Sequence, residues 1–488
     1  MSAGAGVLHV TNTLTRALEP VAVPHDRPLT LYSCGPTVYR YAHIGNLRTF
    51  LLADLVRRVL AYRGVRVRAV QNITDVGHLT DDQVDHGEDK MLVAAGLEGR
   101  SPQEIAAAYT RAYLDDAASL NLQPFDVWPR ATEHVPQMLA LIEQLVASGH
   151  AYDTDDAVYF DVTSFPGYGK LSGNDIGSLR AGHRSAEVRA SKRFHADFAL
   201  WRKAGPRRSE AWDSRFGRGF PGWHIECSAM ALAHLGERVD VHIGGVDLAF
   251  PHHECEIAQS EAALGRRCVG TWLHGEHLLA EGRKMSKSAG NFYDLRAVVQ
   301  RGHDPLAFRL LCLRARYRTQ LNFTWEALAA AERTLQRLRT RVGALQDAGR
   351  HETAPETSAA IETCARGYER RFLAAVEDDL DTPAALAIVH EVAGGERAAA
   401  GLPAVRRAQL LLSWDAVLGL DLGGGPSPED QRLPAGAAAL IARREQARTG
   451  RDFQAADALR EQLAELGIDV VDTPAGCWPP RPPRVRPG

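Results

Sequence analysis

Lys284 and Lys287 stand three residues apart in Lys284-Met285-Ser286-Lys287-Ser288. The chain holds six lysines against 51 arginines, so two of its few ammonium groups sit in one short loop. Lysine is a compact, mobile point charge, which the planar guanidinium is not. That suits a loop that must follow a phosphate whose charge moves during a reaction. Far upstream lies His43-Ile44-Gly45-Asn46, just before a stretch with helical spacing. A helix N-terminus presents free N–H groups and the positive end of its dipole to an anion. His43 can add a donor, and Gly45 leaves room for a flat base or ribose against the backbone. Together the two segments read as the walls of an ATP site; separately, each is also compatible with a charged surface loop.

A third set is Cys34, Cys227, His252 and Glu256. Two thiolates, one imidazole and one carboxylate suit Zn²⁺ in softness and in number. His252 and Glu256 are four residues apart in an expected helix and so share a face. The spacing is dispersed, and buried thiols beside ordinary helix polar groups remain the alternative.

These residues need elements to position them. Leu29–Cys34 reads as a strand ended by Gly35-Pro36, and 47–63 as a helix stopped by Gly64. A second strand is expected over 65–73. This βαβ unit puts His43 at the carboxyl end of a sheet, where open α/β folds bind ligands. No GxGxxG supports a dinucleotide reading. Helices are expected over 103–118 and 135–149, short strands and turns over 151–205, a further strand at 239–242, and a helix after Pro251. Beyond about 322 the chain is rich in Ala, Leu and Arg and helical to about 420. A Gly/Pro linker follows at 422–428, then a small helical unit at 433–467 and a basic tail expected to be disordered.

The totals bound the class. A chain of 488 residues is too long for one core. A net charge of −3 gives no global basic field, although a local patch can still bind RNA. Seven scattered cysteines point to reduced thiols and a cytoplasmic setting. No signal peptide or membrane-spanning apolar run is read.

The paired HIGN and KMSKS segments resemble the ATP site of class I aminoacyl-tRNA synthetases, and the text around them is similar to the cysteinyl-tRNA synthetase family. The matching stretches include CGPTVYRYAHIGNLRTF (34–50), NITDV (72–76), PRATEH (129–134), PGWHIECSAM (221–230), GGVDLAFPHHE (244–254) and KMSKSAGNF (284–292). They run in order from about 30 to 330. A further stretch over 447–476 is similar to the family's anticodon-reading end.

The resemblance implies an α/β fold: a Rossmann-type, doubly wound parallel-sheet catalytic domain over 1–300 with a connective insertion at about 125–215. A linking segment over 301–330, a helical bundle over 331–420 and a small anticodon-binding unit over 433–488 would follow. It implies that Cys34, Cys227, His252 and Glu256 hold one Zn²⁺ per subunit, which the substrate's sulfur completes. Thr74, Trp223 and Asp247 would enclose L-cysteine, with Asp247 facing its ammonium. His43, Gly45, Asn46, Lys284 and Lys287 would bind ATP with Mg²⁺; His43, Lys284 and Lys287 would act in catalysis. Arg448, Phe453, Asp457 and Asp472 would meet tRNA(Cys). The enzyme is expected to be a monomer with no membrane contact.

Three features depart from the pattern. Asn46 replaces the commoner His and can still begin the helix. Residues 76–90, with His78, Asp81, Asp82, Asp85, His86 and Glu88, read as a solvated loop rather than a second metal site. Cys255 should point away from the ligand face as a packed thiol. Cys268, Cys312, Cys364 and Cys477 have no motif partner, and Trp201 and Trp212 read as packing residues. Two competing readings are weighed: a paralogue passing the cysteinyl group to a small amine, as in the mycothiol pathway, and a catalytically silent zinc-containing tRNA-binding protein.

Overall fold

A computed structural model describes residues 8–77, 79–81, 86–175, 177, 191–205, 208, 210–285, 290–351, 358–394, 399, 401–424, 440, 443–444, 446–447, 452–465, 471–473 and 476–478. Leu29–Ser33 is buried along its whole length. It forms the interior of a four-stranded parallel sheet in the order Val269–Gly275, Val239–Gly245, Leu29–Ser33, Val67–Gln71. Such strands need apolar residues on both faces, because crossover helices cover both. The register shows the two faces. Leu31 lies opposite Val241, and Val241 opposite Thr271; Tyr32 lies opposite His242, and His242 opposite Trp272. Leu31, Val241, Ile243 and Leu273 join the core under helix Ile44–Tyr62. Tyr32 and Trp272 join the core with helices Trp223–Leu235 and Glu254–Leu264.

The chain leaves Leu29–Ser33 by the first helix to Val67–Gln71 on one side, and returns as Val239–Gly245 on the other. That reversal opens a crevice beyond the carboxyl ends of the two inner strands. Cys34 stands there. The expected early helix begins at Ile44, inside the HIGN segment, and the later two span Pro102–Ser119 and Val135–Ala147.

Between the halves lies a separate antiparallel sheet of Ala151–Asp153, Ala157–Phe160, Phe198–Lys203 and Gly219–Pro221. Trp201 is fully buried in it, and Trp212 packs against the same core. Helices Trp325–His351, Ala359–Glu377, Thr382–Ala393 and Ala404–Leu418 follow. Their core residues Leu338, Phe372, Val389 and Trp414 belong to one cluster with Leu29, Leu31 and Val241 of the parallel sheet. Phe372 and Trp414 stack at 4.7 Å. At the far end come helix Phe453–Glu465 and an antiparallel pair, Val471–Thr473 with Gly476–Trp478. The 425–428 part of the expected linker and the basic tail lie outside the described residues. No helix among the described residues is long and apolar enough to cross a membrane.

Candidate active site

His43 caps the helix Ile44–Tyr62. Its Nδ1 accepts from the Asn46 amide at 3.2 Å, and Asn46 Oδ1 accepts from the His43 amide at 3.3 Å. Asn46 thus closes a reciprocal cap that satisfies two orphan donors. With Nδ1 accepting, the neutral ring carries its proton on Nε2, where it can donate to a phosphate. Burial, then Arg40, holds the imidazole down to about 4, so it is neutral at physiological pH.

The second signature meets the first directly. Ile44 N–H donates to Tyr293 O at 2.9 Å, and Phe292 sets its ring edge against His43. A Cβ on Gly45 would stand 2.9 Å from Met285 Cε and from the His43 ring. The flexible end of Met285 therefore brings the lysine segment up to the Gly45 backbone. Lys284 itself lies exposed on the short strand Arg283–Lys284, paired with Leu278–Ala280. Asn291 Nδ2 donates to Ala280 O and Lys284 O, tying the base of the loop. Lys287 lies outside the described residues.

Cys34 just past strand Leu29–Ser33, Cys227 on helix Trp223–Leu235, His252 in Ala249–His253 and Glu256 on helix Glu254–Leu264 converge, and their donor atoms lie within 4.8 Å of one another. All four are buried. His252 is not on the regular helix the spacing suggests: it lies in Ala249–His253, a segment kinked at Phe250, whose backbone is extended (φ −141°, ψ 133°), and the α-helix starts at Glu254. His252 Nε2 still reaches Glu256 Oε1 at 3.0 Å. Burial pushes the Cys34 thiol well up, while the hydrogen bond from Cys34 brings Cys227 down to about 7. Burial would discharge His252, but Glu256 and then Cys227 outweigh it and carry it up to about 10. The donor set therefore attracts positive charge strongly enough to hold a proton on a fully buried imidazole. A divalent cation fits that demand.

Sequence reasoning missed a second set. Cys34, His242, His253 and Glu256 also bring their donor atoms within 4.8 Å, sharing two groups with the first. Cys34 Sγ stands 3.2 Å from His253 Nε2 and 3.6 Å from His242 Nε2. Burial keeps both imidazoles neutral, His242 at about 4. Behind them His253 Nδ1 meets His274 Nε2 at 2.7 Å, and His274 Nδ1 meets Thr13 Oγ1 at 2.8 Å. The adjacency of His252 and His253 was the available signal. Cys255 belongs to neither set; it is buried with its sulfur 3.4 Å from Tyr168 Oη.

Around the quartets, Trp223 stacks on His252 at 4.4 Å. Thr74 Oγ1 accepts from Asn72 Nδ2 and donates to Glu226 Oε2, each at 3.0 Å. Glu226, unremarked in the sequence, is completely buried, and its Oε1 has no hydrogen-bond partner. Burial and the neighbouring Cys227 push its carboxyl well above the ordinary range. Asp247 stands apart from these contacts, exposed beyond Val239–Gly245 and folded back over Gly245.

The acidic stretch after Thr74 is not simply a solvated loop. Leu79–Asp81 pairs with His86–Asp89, and Asp89 is buried in an ion pair with Arg208. The side chains of 78–88 lie outside the described residues. So does Arg448. Asp457 is exposed on helix Phe453–Glu465, which Phe453 begins, and Asp472 lies in the terminal strand pair. Cys34, Cys227, Cys255, Cys268, Cys312 and Cys364 form no disulfide.

Residues 20–333 match the family model for the tRNA synthetases class I (C) catalytic domain, and residues 430–476 match the cysteinyl-tRNA ligase anticodon binding domain. The chain is 42% identical to a cysteine–tRNA ligase of Thermus thermophilus, over 96% of this chain and 98% of that one. It is 40% identical to the cysteine–tRNA ligase of Chlorobaculum tepidum, with the same coverage. Among solved structures, a Mycobacterium tuberculosis methionyl-tRNA synthetase bound by methionyl-adenylate superimposes with a TM-score of 0.59 at 14% identity, covering 81% of this chain and 93% of that one. An Agrobacterium radiobacter LeuRS–tRNA–LeuAMS complex gives 0.58 at 13% identity, covering 82% and 85%. The two structures share the fold.

Proposed function

The chain belongs to the cysteine–tRNA ligases, a family of class I tRNA synthetases, and from that premise we propose how its residues divide the work. The enzyme joins cysteine to tRNA at the expense of ATP. ATP with Mg²⁺ lies between the His43–Asn46 cap and the Lys284–Lys287 loop. The cysteine carboxylate attacks the α-phosphate in line and pyrophosphate leaves. His43 donates through Nε2, and the two lysines stabilise the charge that grows on the leaving group. The 2′-hydroxyl of the terminal adenosine of tRNA(Cys) then attacks the activated carbonyl, releasing AMP.

The approach of Met285 to Gly45 carries this reading, because it brings the segment beside Lys284 up against the His43 cap. Cys34, Cys227, His252 and Glu256 would hold Zn²⁺, which would supply a borderline-soft Lewis acid that favours the substrate thiol over a serine hydroxyl. Two thiolates favour this quartet over the one with a single thiolate. Thr74, Trp223 and Asp247 enclose the amino acid. Arg448, Phe453, Asp457 and Asp472 meet the anticodon end, and the chain divides at about 300, 330 and 420–433. The enzyme works as a monomer in the cytoplasm; the free thiols of Cys34, Cys227, Cys255, Cys268, Cys312 and Cys364 support the latter.

The small-amine and silent-binder readings lose to the full-length relatives and the anticodon domain. Cysteine-dependent pyrophosphate exchange, followed by charging of purified tRNA(Cys) with a small-amine control, tests the assignment. Exchange with charging is expected; exchange with transfer to the amine alone would overturn it.

A further inference from the structure

Arg48 follows the HIGN segment by half a turn and is 6% exposed. A buried guanidinium normally meets a carboxylate. Arg48 instead gives its terminal N–H groups to four main-chain carbonyls. Nη1 donates to Glu276 O at 2.9 Å and His277 O at 2.8 Å; Nη2 donates to Thr319 O at 2.6 Å and Arg316 O at 3.3 Å.

The location of those carbonyls matters. Glu276 and His277 immediately precede Leu278–Ala280, the strand whose hairpin partner carries Lys284. Arg316 and Thr319 lie in the turn leading into Leu321–Phe323, which pairs with Leu278–Ala280 from the other side. The two segments also bind each other, through Glu276 N–H to Tyr317 O at 2.8 Å and Leu321 N–H to His277 O at 3.1 Å. One side chain on the His43 helix therefore grips both roots of the small sheet that presents the lysine loop. Desolvation works against the charge of Arg48, and an apolar residue there would leave the four carbonyls without these donors.

We propose that Arg48 is a positioning residue for adenylate formation: it fixes the spacing between the His43 cap and the Lys284 hairpin. The proposal rests on the nucleotide site described above. The fork matters, since an ammonium cannot span two segments with parallel N–H pairs. A misplacement of about 1 Å at a reacting centre can cost on the order of 100-fold.

The test is a double-mutant cycle in cysteine-dependent pyrophosphate exchange. Arg48→Lys should lower kcat by about 10- to 100-fold and raise KM for ATP, with KM for cysteine and metal content unchanged. In a Lys284→Ala background the same substitution should cost less than about threefold, because the group it positions is gone. Equal losses in both backgrounds would overturn the proposal, as would parallel damage to cysteine KM and metal content. Arg48→Met keeps the packed stem without the charge; if neither it nor Arg48→Lys folds by circular dichroism, the role is purely structural and the proposal fails. A defect in the nucleotide-site reading itself shows separately, as absence of exchange in the unsubstituted chain.

Discussion

The metal-competent pocket and the lysine hairpin face the same crevice but differ in almost every physical respect. Cys34, Cys227, His252 and Glu256 are between 1% and 6% exposed and come from well-packed elements. Lys284 is exposed on a two-residue strand held by one strand partner and an Asn291 tie. A group that must discriminate by coordination works best when its geometry is fixed, since a loose site would accept a weaker ligand. A group that follows charge onto a leaving phosphate needs reach. In the proposed division of work, identity is read in the rigid wall and the reaction is driven from the adjustable one.

The sharpest way to break this comparison is Lys284→Ala. It should reduce the exchange rate by on the order of 100- to 1,000-fold while cysteine binding and metal content, followed by calorimetry and metal analysis, stay as they were. A parallel fall in metal content would mean the two walls are not independent. Next comes Cys227→Ser, which should abolish stoichiometric zinc and most discrimination against serine. His253→Ala should keep the metal, and the pair of measurements selects between the overlapping quartets; retained zinc in Cys227→Ser would refute the first. Gly45→Ala comes third. Its methyl would meet Met285 and His43 at 2.9 Å, so ATP KM should rise roughly tenfold, with cysteine KM unmoved.

The smallest effect concerns protons. Cys34 is held protonated by burial, and His252 is drawn up to about 10. Both must lose a proton to ligate, so metal uptake should acidify a weakly buffered solution and weaken as pH falls below about 7, where Cys227 protonates too. On the other wall His43, held at about 4, should add no break to the exchange profile between pH 5.5 and 8. A break that disappears in His43→Gln would contradict that. The sign for folding is the usual one for a lowered imidazole: stability falls as pH drops from the unfolded value near 6.5 toward about 4.

Much of this was legible in the residues because local rules decide it. Leu29–Cys34 and the helix after Asn46 follow from burial pattern and capping chemistry. The first quartet was readable from ligand types once the family was suspected. The second was not, because His242 reaches Cys34 only through the parallel register of strands 208 residues apart. The His252–Glu256 pairing was anticipated on a helix that turns out to begin two residues later. Asp89 looked solvated because its partner Arg208 is 119 residues away. Glu226 carried no periodic signal at all; only the fold shows a buried carboxylate oxygen without a partner.

The apolar cluster that joins Leu29, Leu31 and Val241 to Leu338, Phe372 and Trp414 has a thermodynamic consequence. A boundary between separately folding units needs an interface that can be opened without exposing a core. Here the catalytic sheet and the helices beyond Trp325 share one, so neither can melt and leave the other's apolar surface dry. Heating should give a single calorimetric transition for both, and the helical part expressed alone should behave as a fragment.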